Sequence, residues 1–225
     1  MGIKKESLQK TDVRSIDDLK AAYRRIKPDI VRRLKEFRGI YESRDFEKIQ
    51  HEMMFCILTP QSKAKVCWSC IEELIDSEDV GSISKNKLRE YIKPVRFYNN
   101  KTEHMYQLLE NIRSGAIDID ELVYSSMDIV ERRDLIVKTV KGYGYKEASH
   151  FLRNIGLGED IAILDRHILR NLTRHGIINK TPKAISRKKY LEMEKRMSAL
   201  SGDIHIPIAH LDILFWYNET GGIFK

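Results

Sequence analysis

The sequence predicts an all-α protein, with two helical lobes and a cleft between them. Apolar residues recur at three- and four-residue spacing along most of the chain, which is the period of an amphipathic helix. Strand signals are limited to GSIS at residues 81–84 and IHIPI at residues 204–208, and both are too short to found a sheet. No repeat or Gly/Ser-rich linker divides the sequence. We therefore expect one compact unit of about ten short helices.

The first helix begins after Ser15, and Asp18 is spaced to complete a capping box with it. Pro28 lies inside this helix and is expected to bend or split it. The apolar face consists of residues three and four apart, namely Leu19, Ala22, Tyr23, Ile26, Ile30, Leu34 and Phe37.

The later helices are separated by Pro, Gly or polar turns. Each shows the same apolar period, and the last turn of several is followed by Gly or Pro. They are predicted over residues 45–59, 62–75, 84–92, 100–112, 120–127, 131–142, 146–154, 166–176, 186–200 and 207–221.

The charge balance is basic, with 40 Lys and Arg against 33 Asp and Glu and a net charge of +7 at pH 7. A basic chain favours an anionic partner, and nucleic acid is the commonest one. Many basic proteins bind no polyanion, so charge alone does not decide the function. The hydrophobic content of 42% is that of an ordinary globular protein with a sizeable core.

The three cysteines, Cys56, Cys67 and Cys70, are too few for a disulfide framework or a cluster held by four thiolates. Cys67 and Cys70 form one CxxC around Trp68, and no second CxxC or His pair completes a metal site. We interpret both as packing residues in a helix. We expect neither a metal nor another cofactor.

The chain contains no targeting or membrane signal. No apolar run approaches the roughly 18 residues that span a bilayer. Residues 1–10 lack the apolar core of a signal peptide, and Ser7 stands one position too late for N-myristoylation. We expect a cytoplasmic protein.

The stretch VKGYGYK, residues 140–146, places two glycines between two predicted helices. Gly142 and Gly144 allow a sharp turn, and their amides with the next helix N-terminus suit a phosphate. An ordinary helix–helix turn is the alternative. Lys146 opens the next helix, where the positive end of the dipole disfavours a cation by about 0.3–1 kcal/mol. This repulsion favours a neutral, nucleophilic amine able to form a Schiff base, whereas a solvated lysine is the plain alternative.

Asp165 follows four apolar residues and precedes a helical segment. An N-cap is the simplest role for such an aspartate. One carboxylate oxygen can cap the helix while the other faces a cleft, so a chemical role is compatible with capping. Arg166 and His167 follow at the helix N-terminus, where both can point at a backbone phosphate.

At these residues the sequence resembles the helix-hairpin-helix DNA glycosylase superfamily. The hairpin of that superfamily reads hydrophobic-Pro-Gly-hydrophobic-Gly-x-Lys-x-Ala, and residues 140–148 match it with Lys141 in place of proline. The superfamily's catalytic aspartate matches Asp165, although Leu164 stands where Gly or Pro is frequent. The segments YGYKEASHFLRNIG, AILDRHILR, VRFYNNKTEH and HLDILFWYNETGGIFK are similar to the type-2 8-oxoguanine DNA glycosylase/lyase family of archaea and some thermophilic bacteria.

The resemblance implies a bifunctional repair enzyme with its active site in the cleft. Lys146 would attack C1′ of a flipped 8-oxoguanosine nucleotide and expel the base. Asp165 would help deprotonate the amine and stabilise positive charge on the sugar. The resulting Schiff base would allow β-elimination, which cuts the strand 3′ to the lesion. The implied partner is double-stranded DNA that contains 8-oxoguanine, bound by a monomer without a metal.

The resemblance also suggests a base pocket. Lys225 and its carboxylate are candidates for recognition of the oxidised base, and Trp216 is a candidate for stacking on it. Core packing beside Phe215 is the alternative for Trp216. Asp212 lies one helical turn before Trp216 and is assigned to the same pocket, with a salt bridge as the alternative.

Further DNA contacts are assigned by the same reasoning. Either Phe97 or Met105 would stack opposite Trp216, and the sequence does not choose between them. Gln61, in the TPQS junction at residues 59–62, would fill the gap left by the flipped base. An exposed loop glutamine is the alternative. The hairpin residues Lys141, Gly142 and Gly144 would contact phosphate.

We assign residues 1–225 to a single glycosylase unit. Within it, residues 55–155 would form a central lobe that contains the hairpin. The second lobe would be formed by residues 10–54 together with residues 156–225. Two other functions stay open. One is a glycosylase for adenine or mismatched thymine, and the other is a non-catalytic helix-hairpin-helix DNA-binding protein.

Overall fold

The computed structural model describes residues 15–225, in which eleven α-helices and no β-strand are found. The all-α prediction is confirmed. Residues 1–10, assessed above for targeting signals, and residues 10–14 of the predicted second lobe lie outside the described residues. The helices are α1 Ile16–Ser43, α2 Phe46–Leu58, α3 Ala64–Ser77, α4 Lys85–Ile92, α5 Tyr98–Arg113, α6 Ile119–Tyr124, α7 Ile129–Thr139, α8 Tyr145–Asn154, α9 Arg166–Arg174, α10 Arg187–Ile204 and α11 Ile208–Thr220.

Helix α1 begins with the predicted capping box. The Asp18 amide donates to the Ser15 hydroxyl and the Ser15 amide donates to the Asp18 carboxylate, both at 3.1 Å. Pro28 lies within the continuous helix and does not split it. Because Pro28 is exposed, water can reach the carbonyl that loses its helical donor there. Among the described helices, none is long and apolar enough to cross a membrane.

The described chain forms two compact units. One comprises the described residues up to Leu34 together with Glu159–Ile223, and the other comprises Lys35–Gly158 together with Phe224–Lys225. In the first unit α11 packs against α9 and α10. In the second unit α2 packs against α3, α5, α6 and α8.

Helix α2 is central to the second unit because its C-terminal half is apolar on every side. Met53, Phe55 and Leu58 are fully buried. A helix that is hydrophobic all round is stable only in a core, whereas an amphipathic helix lies at the surface. The end of α2 is therefore held firmly beside α8.

The helix-hairpin-helix motif is formed by α7, the turn at residues 140–144, and α8. Gly142 has φ +92°, and a Cβ there would lie 2.4 Å from Nδ1 of His104, so only glycine fits. Gly144 is the N-cap of α8, and its amide donates to the Glu147 carboxylate at 3.1 Å. The Tyr143 hydroxyl donates to the Met53 carbonyl at 2.8 Å and ties the turn to α2.

In the first unit, an extended segment leads into α9 and is fastened by buried side chains. The Ala162 amide donates to Glu194 at 2.8 Å, and the Leu164 amide donates to the Tyr190 hydroxyl at 3.1 Å. These bonds satisfy backbone groups that have no strand partner. They set the position of the residue at the start of α9.

Candidate active site

Lys146 is the second residue of α8, which begins one residue earlier than predicted. Its side chain is 23% exposed. The amine lies 3.3 Å from the Thr59 hydroxyl, 3.4 Å from Nδ1 of His150 and 3.9 Å from the Glu147 carboxylate. All three distances exceed the usual range of a strong hydrogen bond, so the amine is loosely held.

Thr59 and His150 are the close neighbours of the Lys146 amine, and neither was predicted from the sequence. The Thr59 hydroxyl donates to the Cys56 carbonyl at 3.1 Å, which leaves it free to accept from Lys146. Burial lowers the pKa of His150 well below its usual value, and the positive charges of Lys146 and Arg153 lower it further. His150 is therefore a neutral ring. It lies four residues after Lys146 on one helix face, so helical spacing could have identified it.

The Lys225 side chain is anchored in the second unit. Its amine pairs with Glu52, which is 1% exposed, and lies 3.0 Å from the centroid of the Trp68 ring. The Glu52 carboxylate also accepts from the Asn154 side-chain amide, Nδ2, at 2.8 Å. The Lys225 backbone forms a hydrogen bond with the His150 ring. Sequence reasoning treated Trp68 only as a neighbour of two packing cysteines and missed this contact.

A further buried lysine lies at the end of α2. Lys101 is 5% exposed, and its amine donates to the Leu58 and Pro60 carbonyls at 2.7 Å and to the Ser62 hydroxyl at 2.9 Å. Burial lowers the pKa of Lys101 to about 8. The sequence offered no signal for it, because its acceptors are about 40 residues away.

Asp165 is the N-cap of α9, as predicted. Its Oδ1 accepts from the His167 amide at 2.7 Å and from the Ile168 amide at 2.8 Å. Within residues 15–225, Oδ2 accepts no hydrogen bond. One carboxylate oxygen thus caps the helix and the other stays available.

Trp216 stands beside the start of α9. The His167 ring meets it edge-on, with 4.9 Å between centroids and 82° between planes. Trp216 is half-buried, whereas Phe215 is fully buried and stacks on His175. The core position therefore belongs to Phe215, and the Trp216 ring keeps an accessible part. His167 is itself 3.7 Å from the Glu219 carboxylate.

Three of the predicted pocket residues have contrasting environments. Asp212 is 5% exposed and accepts from the Ile163 amide at 3.2 Å, so it supports the segment before α9. Met105 is fully buried. Phe97 is 50% exposed at φ +61°, with the Arg96 guanidinium 4.7 Å from its ring centroid. Of the two alternatives, Phe97 is the one that a base could reach in this arrangement.

Of the predicted phosphate-contacting residues, Lys141, Gly142 and Arg166 are exposed, whereas Gly144 and His167 are half-buried. Gln61, also exposed, adopts φ +54°, which is uncommon for a residue other than glycine. Among the described residues, no group of three or more His, Cys, Asp or Glu side chains is arranged to hold a metal ion.

The predicted residues divide between the two units. Asp165, Arg166, His167, Asp212 and Trp216 belong to the first. The second contains the hairpin with Lys146, and also Gln61, Phe97, Met105 and Lys225.

Comparison with known proteins gives one consistent result. The family model described as 8-oxoguanine DNA glycosylase matches residues 30–206. A relative from Fusobacterium nucleatum, named 8-oxoguanine DNA glycosylase/AP lyase, is 41% identical over 210 residues, which cover 93% of this chain and 97% of that protein. The Methanocaldococcus jannaschii 8-oxoguanine glycosylase/lyase, in complex with 15mer DNA containing 8-oxoguanine, matches with a TM-score of 0.84 and 33% identity over 93% of this chain and 99% of that one. The Thermotoga maritima 8-oxoguanine DNA glycosylase matches with a TM-score of 0.82 and 31% identity over 93% of this chain and 98% of that one. This chain therefore belongs to the 8-oxoguanine DNA glycosylase family.

Proposed function

We propose that this protein excises 8-oxoguanine from double-stranded DNA and then cleaves the strand 3′ to the abasic site, with Lys146 as the nucleophile. The observation that carries the proposal is the Lys146 amine, which is partly buried and loosely held directly behind the glycine hairpin. The family membership of the chain supplies the substrate class. A lysine nucleophile accounts for both activities, because its covalent intermediate with the sugar is an imine.

The reaction would proceed in two stages. The neutral amine attacks C1′, the bond to the base breaks, and the departing base takes up a proton. The nitrogen gives one proton to the departing base and the other to O4′ as the sugar ring opens, which leaves a Schiff base. Loss of a C2′ proton then expels the 3′ phosphate by β-elimination. His150 would orient the amine as a neutral acceptor, since its lowered pKa disfavours an imidazolium ion.

Asp165 would supply the electrostatic contribution. As the base departs, positive charge develops on the sugar. A fixed carboxylate stabilises this charged transition state more than it stabilises the ground state. Two backbone amides hold Oδ1, so the carboxylate requires no reorganisation during the reaction. The unbonded Oδ2 is the atom that would act.

Base recognition would use aromatic and anchored residues. Trp216 offers an accessible ring for stacking, and Phe97 is the exposed candidate for a second aromatic contact. Lys225 would read the base through its backbone, since Glu52 and Trp68 already hold its side chain. Met105 would contribute only packing in its buried position.

The DNA backbone would be held at the hairpin and at the start of α9. The turn amide at Gly142, with Lys141 beside it, suits a phosphate, whereas the Gly144 amide already donates to the Glu147 carboxylate. Arg166 and His167 would contact a second phosphate, and Gln61 would fill the vacated stack. We further propose that the protein acts as a monomer, because one chain supplies every proposed group. We also propose that it works with the chromosome in the cytoplasm.

Borohydride trapping tests this function. A duplex with 8-oxoguanine is incubated with the protein and sodium borohydride, and the covalent adduct is measured on a denaturing gel. Wild-type protein should give an adduct, and Lys146→Gln should give none while still binding the duplex. Lys93→Gln is the matched control, because Lys93 is an exposed lysine of the same unit paired with Glu90.

Other duplexes separate the alternatives. An adduct formed only with adenine or mismatched thymine would assign a different base. Binding of every duplex without an adduct would assign a non-catalytic DNA-binding protein. An undiminished adduct with Lys146→Gln would move the nucleophile elsewhere in the chain.

A further inference from the structure

Lys101 is a buried cation whose hydrogen-bond partners are all uncharged. Its amine donates to the Leu58 and Pro60 carbonyls at 2.7 Å and to the Ser62 hydroxyl at 2.9 Å. These three acceptors engage all three N–H groups of an ammonium ion. Burying a cation is unfavourable, and a methionine of similar length would fill the space without that cost. The contacts therefore point to a role for the charge in holding the acceptors.

The acceptors belong to the Thr59–Ser62 turn and the helix end before it. Leu58 is the last residue of α2, so its carbonyl lacks a helical donor and lies at the negative end of the dipole. A cation is favoured at that end. The turn also includes Gln61 at φ +54°, which is unfavourable for a residue with a Cβ. Such a backbone persists when surrounding contacts hold it, and Lys101 supplies three.

The same turn reaches the proposed nucleophile. Thr59 lies between the Leu58 and Pro60 carbonyls that Lys101 binds. Its hydroxyl donates to the Cys56 carbonyl at 3.1 Å and lies 3.3 Å from the Lys146 amine. A shift of the turn would therefore move a close contact of that amine. We propose that Lys101 is a positioning residue, which sets the Lys146 amine for attack through the Thr59–Ser62 turn.

This role rests on the proposed function, because it presumes that Lys146 is the nucleophile. Direct chemistry by Lys101 is disfavoured, since its donors are engaged and the side chain is buried. A direct phosphate contact is disfavoured for the same reason. The effect of Lys101 should consequently appear mainly in the rate of adduct formation, because the phosphate contacts that dominate DNA affinity lie outside this turn.

The test is Lys101→Met, compared with wild type in single-turnover borohydride trapping on duplexes with 8-oxoguanine and with a preformed abasic site. Both trapping rates should fall about 10- to 100-fold, because a misplacement near 1 Å is enough for such a loss. The dissociation constant for the duplex should change less than about threefold, since the phosphate contacts remain. Lys93→Met controls for loss of one positive charge in the same unit.

A double-mutant cycle decides whether the effect passes through the turn. Thr59→Val removes the hydroxyl beside Lys146, and the double variant Thr59→Val/Lys101→Met should be no slower than the slower single variant. Fold losses that multiply would overturn the proposal, as would wild-type trapping rates in folded Lys101→Met.

Ser62→Ala keeps the test decisive if Lys101→Met does not fold. It removes one acceptor at an already partly exposed position, and the trapping rate should fall about two- to fivefold. An unchanged rate in that variant would overturn the proposal. Absence of any adduct with wild type would instead refute the proposed function, so the two failures are distinguishable.

Discussion

The surroundings of Asp165 and Lys146 differ in how firmly each reactive group is held. Two backbone amides bind Asp165 Oδ1 at 2.7 and 2.8 Å. The Lys146 amine has neighbours at 3.3 Å and beyond. A carboxylate that stabilises charge benefits from a rigid position, whereas a nucleophile must leave its contacts to form a new bond. The difference matches the separate roles proposed for the two residues.

The two surroundings also separate stability from chemistry. Asp165 Oδ1 caps α9 and so contributes to folding, whereas Oδ2 is the oxygen proposed for the chemistry. The contacts of Lys146 are too long to contribute much to folding. Each residue can therefore be changed in a way that affects one property and spares the other.

The largest effect is expected for Lys146→Gln. Covalent trapping and strand cleavage should be lost, because the amide cannot form a Schiff base. The free energy of unfolding, measured by urea titration, should stay within about 0.5 kcal/mol of wild type. A clear destabilisation would mean that the weak contacts of the amine support the fold after all, and the contrast with Asp165 would then disappear.

The next effect is expected for Asp165→Ser and Asp165→Ala. Excision of 8-oxoguanine should fall roughly 100-fold or more in both, since both lose the carboxylate. Serine is a good N-cap, so Asp165→Ser should unfold like wild type, whereas Asp165→Ala should lose about 1 kcal/mol. Single-turnover kinetics and urea titrations measure the two properties. Near-normal excision by Asp165→Ser would reduce Asp165 to a helix cap.

A smaller effect is expected in the hairpin that presents Lys146. Gly142→Ala places a Cβ 2.4 Å from the His104 ring at φ +92°, and should cost about 1–2 kcal/mol or more in stability. Gly39→Ala is the control, because a Cβ added at Gly39 in α1 would meet nothing within 4 Å. It should gain up to about 1 kcal/mol from helix propensity. Equal thermal stability of the two variants would show that the hairpin tolerates a side chain.

The last expected effect concerns how stability depends on pH at the turn beside Lys146. Burial lowers the pKa of Lys101 from 10.5 to about 8. Between these values the unfolded chain binds more protons, so stability rises with pH by up to about 1.4 kcal/mol per unit. Wild type should therefore gain stability over Lys101→Met from pH 8 to 10.5 in urea titrations. A flat difference would contradict the lowered pKa. The charged or titratable groups acting on this amine are Cys67, Lys146, Glu147 and Arg96.

Local signals were reliable for the backbone of the site. The hairpin glycines, the start of α8 within one residue and the N-cap at Asp165 all follow from neighbours a few positions apart. Pro28 shows the limit of such signals, because its exposed side lets the helix continue. Trp216 and Phe215 show another limit. They are adjacent in α11 but lie in different surroundings, and the sequence does not say which of the two rings is buried.

Contacts between distant residues could not be predicted. Lys101 meets Leu58 across 43 residues, and Lys225 meets Glu52 across 173 residues. Helical periodicity indicates which face of a helix is apolar, but it does not identify the element that covers that face. The contacts of Lys101, Thr59 and Trp68 were therefore missed.

The helices, the glycine hairpin, the cap at Asp165 and the choice of Lys146 as a candidate nucleophile all follow from the order of the amino acids. These features depend on backbone conformation and on hydrogen bonds within a single turn. The burial of Lys101 and the neutrality of His150 depend instead on the folded arrangement. Desolvation and hydrogen bonding at those groups come from residues far apart in the chain, and folding alone brings them together.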